Sequence, residues 1–229
     1  MYKKITHTIV EEHFDHPIAS QIKKSLAKKT ITNEVFTETK FRTDINNYLT
    51  TYINNIIALI GSVGGTDQDL LNNFDNFYKT AWIDDLGNMT KSIYFTEFGE
   101  RLNETFRLIP TTIFSALQYI KDGKDYGSAG SRVQFIVNDL AQNLGNFNNA
   151  WNPQVITSLF NSLFSDFFAL AKARIAKNTT LEQQLIQKIN TSWATFEKAF
   201  ADGIISQHPE RFIKTTTTIP TTSNTKDIM

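Results

Sequence analysis

The stretch 180–206, TLEQQLIQKINTSWATFEKAFADGIIS, decides the class of the fold. Its apolar residues follow one another at steps of three or four, which places them on one face of an α-helix. They are Leu181, Leu185, Ile189, Trp193, Phe196, Phe200 and Ile204. Asn178 is a typical N-cap residue, and His208-Pro209 ends the pattern because a residue before proline avoids the helical conformation. The stretch therefore predicts an amphipathic helix that packs against a core.

The same apolar spacing recurs along most of the chain and predicts about eight helices, with no convincing strand. Gly145-Asn146, Pro110, Leu86-Gly87-Asn88 and the loop 123–130 are the predicted breaks between them. The predicted ranges are about 17–29, 43–61, 67–85, 95–109, 111–120, 131–144, 154–177 and 180–206. The second of these helices has an alternative start near 32–34, and the sixth has an alternative start at Ser128.

The helix over 154–177 is apolar on nearly two faces, so we expect it at the centre of the fold. The last residues, 214–229, are rich in Thr and poor in apolar side chains, and such a segment does not repay the entropy of ordering. We therefore predict an all-α, single-domain bundle over residues 1–213 with a central apolar helix, followed by a flexible tail.

Composition and charge exclude several classes of function. The chain has 229 residues and no Cys, which removes disulfides, thiolate metal sites, iron–sulfur clusters and Cys nucleophiles. Its 23 basic and 23 acidic side chains balance, which argues against nucleic acid as a partner. The apolar runs are shorter than the ~20 residues of a transmembrane helix. We expect a soluble protein with no transmembrane segment; the compartment stays open, and we favour the cytoplasm.

Aromatic side chains dominate the predicted core. Most of the 18 Phe, 7 Tyr and 3 Trp fall on the inward stripes, and each buried Phe contributes ~1.5–3 kcal/mol, so the core needs no cofactor. A second interpretation is that some rings line a cavity for an apolar small molecule or lipid, since helical bundles place ligands between facing helices. The candidate lining residues are Phe160, Phe164, Phe167, Trp193 and Phe196.

A cluster of His and Glu near the start of the chain is the candidate metal site. If this segment is helical, His7 and Glu11 share a face, and so do Glu12 and His16. Bundle metal sites use Glu and His in this way but draw them from several helices, and no second helix repeats the pattern. A solvated polar segment is the alternative interpretation.

Known catalytic motifs do not occur in the sequence. The Gly-rich segment 123–130 lacks the Lys-Ser/Thr ending of a phosphate loop, and no Gly-x-Ser-x-Gly elbow exists. We therefore expect a non-enzymatic protein that acts by binding, first of all to another protein or to its own copy. The alternatives are a carrier of an apolar ligand and a metal-dependent enzyme that uses the His/Glu cluster.

Overall fold

The computed structural model describes residues 35–79, 82–124 and 126–213. All of them belong to one compact unit, and within it the all-α class is confirmed. The predicted helix at 17–29 lies outside the described part, where two other predicted helices are joined and one is divided. Besides two three-residue 3-10 helices, Ser62–Gly64 and Pro209–Arg211, this part contains seven α-helices rather than the eight predicted. They are α1 (Glu38–Gly61), α2 (Asp67–Lys79), α3 (Trp82–Lys91), α4 (Thr96–Lys121), α5 (Gly127–Phe147), α6 (Pro153–Ile175) and α7 (Thr179–Gln207). The predicted tail 214–229 also lies outside the described residues.

Side-chain N-caps fix the starts of α6 and α7, as the sequence predicts. The side-chain oxygen of Asn152 accepts hydrogen bonds from the backbone N–H groups of Gln154 and Val155, and Pro153 occupies the first helical position. Asn178 accepts from the N–H of Leu181 in the same way. Such caps satisfy N–H groups that the first turn of a helix leaves without partners.

Helix α6 lies at the centre of the described fold, as its two apolar faces predict. It contacts α7 and α5 along much of its length and also touches α4 and α1. Ten of its 23 residues are buried, and all of them except Asp166 belong to one continuous apolar cluster. Helix α7 buries the predicted stripe from Leu185 to Ile204, whereas Leu181 at its start is exposed.

Pro110 does not end α4, and the prediction of two separate helices is wrong. The helix continues through Pro110, which is itself buried. Proline lacks the N–H that would bond to the carbonyl of Phe106, one turn earlier. The hydroxyl of Tyr52 in α1 donates to that carbonyl at 2.9 Å. A hydrogen bond from another helix thus replaces the one that proline removes.

The predicted break at Leu86-Gly87-Asn88 is also wrong, because these residues lie inside α3. A Cβ on Gly87 would lie 2.2 Å from the side-chain nitrogen of Asn103 in α4, and a Cβ on Gly99 would lie 2.4 Å from the Gly87 carbonyl oxygen. The two glycines therefore allow α3 and α4 to pack closely, and Gly87 does not end α3. The helix predicted over 67–85 is accordingly divided between α2 and α3.

Helix α5 is longer than predicted at both ends. It begins at Gly127, inside the segment predicted as a loop, and it continues through Gly145 to Phe147. A Cβ at position 145 would lie 2.5 Å from Cγ of Pro153, at the start of α6. Gly145 thus allows α5 and α6 to approach each other closely near the turn that joins them.

A two-residue parallel ladder joins the beginning and the end of the described chain. Strand β1 (Phe36–Thr37) pairs with β2 (Phe212–Ile213), with Phe36 opposite Phe212. The ring of Phe212 lies 4.9 Å from that of Phe41 and 5.9 Å from that of Phe36. The ladder therefore rests on a small aromatic cluster at the start of α1.

Within the described residues, none of the helices is both long enough and apolar enough to cross a membrane.

Candidate functional site

The five aromatic residues predicted as a cavity lining lie on α6 and α7 and are 1% to 3% exposed. Three of them contact one another: the ring of Phe160 stands edge-on to that of Phe196 at 5.1 Å, and the ring of Trp193 lies 5.3 Å from that of Phe196. The other two, Phe164 and Phe167, form an edge-on pair at 5.9 Å. Each predicted ring thus has an aromatic neighbour from its own group.

Trp193 is held in position by two contacts with α1. Its indole N–H donates to the carbonyl of Leu49 at 2.8 Å, and its ring stacks on that of Tyr52 at 5.5 Å. A buried indole usually finds such a polar partner. These contacts account for the position of the ring as part of the core, and the role of the five residues in binding an apolar ligand stays a prediction.

The predicted metal ligands, His7, Glu11, Glu12 and His16, lie outside the described residues. Across the ranges that the structure describes, no group of three or more His, Asp or Glu side chains is arranged to hold a metal ion.

The most distinctive surface is one that the sequence analysis did not single out. Residues 140–165 contain no Asp, Glu, Lys, Arg or His, although one residue in five of the whole chain is Asp, Glu, Lys or Arg. This run covers the last third of α5, the turn after it and the first half of α6. We call its exposed and half-buried side chains, together with Asn138, the charge-free surface; Asn143 is left out of it, because Arg101 of α4 donates a hydrogen bond to its side-chain oxygen at 3.2 Å. The signal is visible in the sequence as a gap of 26 residues between charges.

A groove between α5 and α6 forms the middle of the charge-free surface. Its volume is about 470 Å³. The walls are carboxamides, hydroxyls and small apolar groups: Asn138, Ala141 and Gln142 from α5, and Pro153, Gln154, Thr157, Ser158 and Asn161 from α6. Carboxamides and hydroxyls both donate and accept hydrogen bonds, so the groove can bind either kind of polar group without burying a charge.

The turn that joins α5 to α6 is anchored to α7 and to the segment before α4. Asn148 donates from its side-chain nitrogen to the carbonyl of Gly203 at 2.7 Å and to the hydroxyl of Tyr94 at 3.0 Å. Trp151 donates from its indole to the carbonyl of Ala199 at 3.1 Å. Burial raises the pKa of Tyr94, which keeps this phenol neutral. The end of the charge-free surface is therefore fixed by uncharged contacts.

The charged residues that border the run are turned toward other helices. Asp139, just before it, accepts hydrogen bonds from the hydroxyl of Thr105 in α4 at 3.4 Å and from Asn143 of its own helix at 2.9 Å, and burial raises the pKa of this carboxyl. Asp166, just after it, is buried and pairs with Lys188 of α7 at 2.7 Å. Neither carboxylate is among the residues that line the groove between α5 and α6.

A second groove, of about 830 Å³, runs along the outer face of α7. It is shallow and open, and its walls include Ile186, Gln187, Asn190 and the charged side chain of Lys198. It differs from the first groove in carrying a charge.

No known protein family, no curated protein and no solved structure matches the chain.

Proposed function

We propose that this protein is a non-enzymatic binding protein that docks another protein chain on the charge-free surface. The observation that carries the proposal is the absence of charged residues over 140–165 in a chain in which one residue in five is charged. The cores of protein–protein interfaces are depleted in charged side chains, because removing a charge from water without a partner is costly. A surface free of charge avoids that cost.

The composition of the surface also suits a protein partner. Val155 is 62% exposed, and Ala150 and Pro153 are exposed beside it, so docking would remove apolar area from water. The carboxamides of Gln142 and Gln154 supply hydrogen bonds of both kinds to a polypeptide. Apolar contacts with interspersed hydrogen bonds are the usual make-up of such interfaces.

The surface is held in one conformation before any partner arrives. The Asn152 cap, the contacts of Asn148 and the close approach of Gly145 to Pro153 fix the turn and both helix ends. A preformed surface binds more tightly than a mobile one of equal area, because less conformational entropy is lost on binding.

Site-specific photo-crosslinking in the native host tests the proposal. A benzophenone side chain at Ser158, in the groove, should give a discrete protein adduct, whereas the same group at Gln187, on the outer face of α7, should give none. The adduct is then identified by mass and the partner purified. Its Kd should rise at least tenfold, or by about 1.4 kcal/mol, for Gln154→Lys.

The matched control is Gln187→Lys, which adds the same charge to an exposed position of another helix. Equal adducts from both crosslinking positions, or a partner whose Kd is unchanged by Gln154→Lys, would contradict the proposal.

A further inference from the structure

We infer that the charge-free surface pairs with the same surface of a second copy of this chain, about a two-fold axis. The inference rests on the proposed function and names its partner. It draws on the pattern of charge, on the chemistry of the groove and on the neutrality of the whole molecule.

Two-fold pairing places special demands on charge. Each residue near the axis lies close to its own counterpart, so a charged residue there faces an identical charge. At about 4 Å, two like charges repel by several kcal/mol when they are partly shielded from water. One residue in five of this chain is charged. The run 140–165 has no charged residue on either of its two adjacent helices, so its own side chains would not bring like charges together at the axis.

The groove is chemically complementary to itself. Gln142, Gln154, Asn138 and Asn161 each carry a carbonyl oxygen that accepts and an amide that donates, so one side chain can bond to its own copy in both directions. Asparagine pairs at helix interfaces are known to select a two-fold partner and its register in this way. The exposed Val155 of each copy would meet an equally uncharged surface.

The molecule as a whole does not oppose self-association. It has 23 basic and 23 acidic side chains, so its formal net charge is zero and long-range repulsion between copies is small. The groove on α7 is less suitable, since docking there would cover Lys198 and its ion pair with Asp202. Docking α5 and α6 on their counterparts would instead build a four-helix contact, which is a common packing arrangement.

Sedimentation velocity on the purified full chain tests the inference. As the concentration rises from 1 to 100 μM, the apparent mass should move from 26.1 kDa toward twice that value. Ser158→Lys and Gln154→Lys should each raise the dimer Kd at least tenfold, while Gln187→Lys should leave it within twofold. Both target positions are exposed, and far-ultraviolet circular dichroism checks that each variant is folded.

A charge-pairing experiment tests the two-fold arrangement itself. An equimolar mixture of Ser158→Lys and Ser158→Glu should recover a dimer with a Kd within threefold of the unchanged protein, because opposite charges now meet across the axis. A mixture that dimerises no better than either variant alone would overturn the arrangement. A chain that stays at 26.1 kDa throughout the concentration range would overturn self-association. In that second case the proposed function still has its own test, since a crosslink from Ser158 to a different protein is independent of dimer formation.

Discussion

Replacing Tyr52 with phenylalanine removes the donor that serves the carbonyl of Phe106 inside α4. Pro110 has no N–H to take its place, so the variant leaves a buried carbonyl without this partner. The ring itself stays, together with its stacking on Trp193 at 5.5 Å. Burial raises the pKa of Tyr52 well above its ordinary value, so the phenol keeps its proton and remains a donor.

The expected cost is about 1–3 kcal/mol of unfolding free energy, which is the usual penalty for a buried polar group that loses its hydrogen bond. A second variant, Pro110→Ala, restores an N–H one turn after Phe106. In that background the same Tyr52→Phe change should cost at least ~1 kcal/mol less, because the carbonyl again has a donor.

Urea unfolding followed by circular dichroism measures all four combinations of the two changes, with the slope checked for two-state behaviour. Tyr126→Phe is the matched control, since the Tyr126 ring is half-buried and its hydroxyl has no hydrogen-bond partner among the described residues. The reasoning is refuted if Tyr52→Phe costs no more than this control, or if its cost is the same with Pro110 and with alanine.

Two further outcomes follow from packing and from charge. Gly203→Ala should cost about 1–3 kcal/mol, because the new Cβ would lie 2.1 Å from the indole nitrogen of Trp151, whereas Gly130→Ala, with open space around it, should be neutral or stabilising in thermal melts. Burial raises the pKa of Glu197, which accepts a hydrogen bond from Thr50 at 3.0 Å, so the folded state holds this proton to higher pH than the unfolded chain. Stability is therefore lost as the pH rises through the range above the ordinary glutamate pKa of ~4.3. As the pH rises above the ordinary glutamate pKa, Glu197→Gln should lose less unfolding free energy than the unchanged protein, and equal losses would contradict the assignment.

Local signals in the sequence were sufficient for the class of the fold, the ends of α7 and the start of α6. Asn152 and Asn178 cap their helices with atoms only two or three residues away, so a short window of sequence contains the whole interaction. The inward stripe of α7 was predictable for the same reason, since its period is a property of the helix itself.

The failures involve partners that are distant in the chain. The carbonyl that Pro110 leaves without a helical partner belongs to Phe106, and its donor is a tyrosine 54 residues earlier in the chain. Gly87 leaves room for Asn103 of α4, which lies 16 residues later. The candidate surface, too, could be predicted from the sequence only in part. The gap in charge over 140–165 can be read from the sequence, but the groove depends on how closely α5 and α6 approach, which Gly145 and Pro153 decide in three dimensions.

The short ladder between Phe36–Thr37 and Phe212–Ile213 has a mechanical consequence. The two strands are parallel, so tension that pulls the chain outward before Phe36 and outward after Ile213 drags them in opposite directions along their length. Their hydrogen bonds then carry the load in shear, all at once, and do not open one after another like a zipper. In an optical-trap experiment the ladder and the aromatic contact between Phe212 and Phe41 would therefore bear the force before α1 or α7 does.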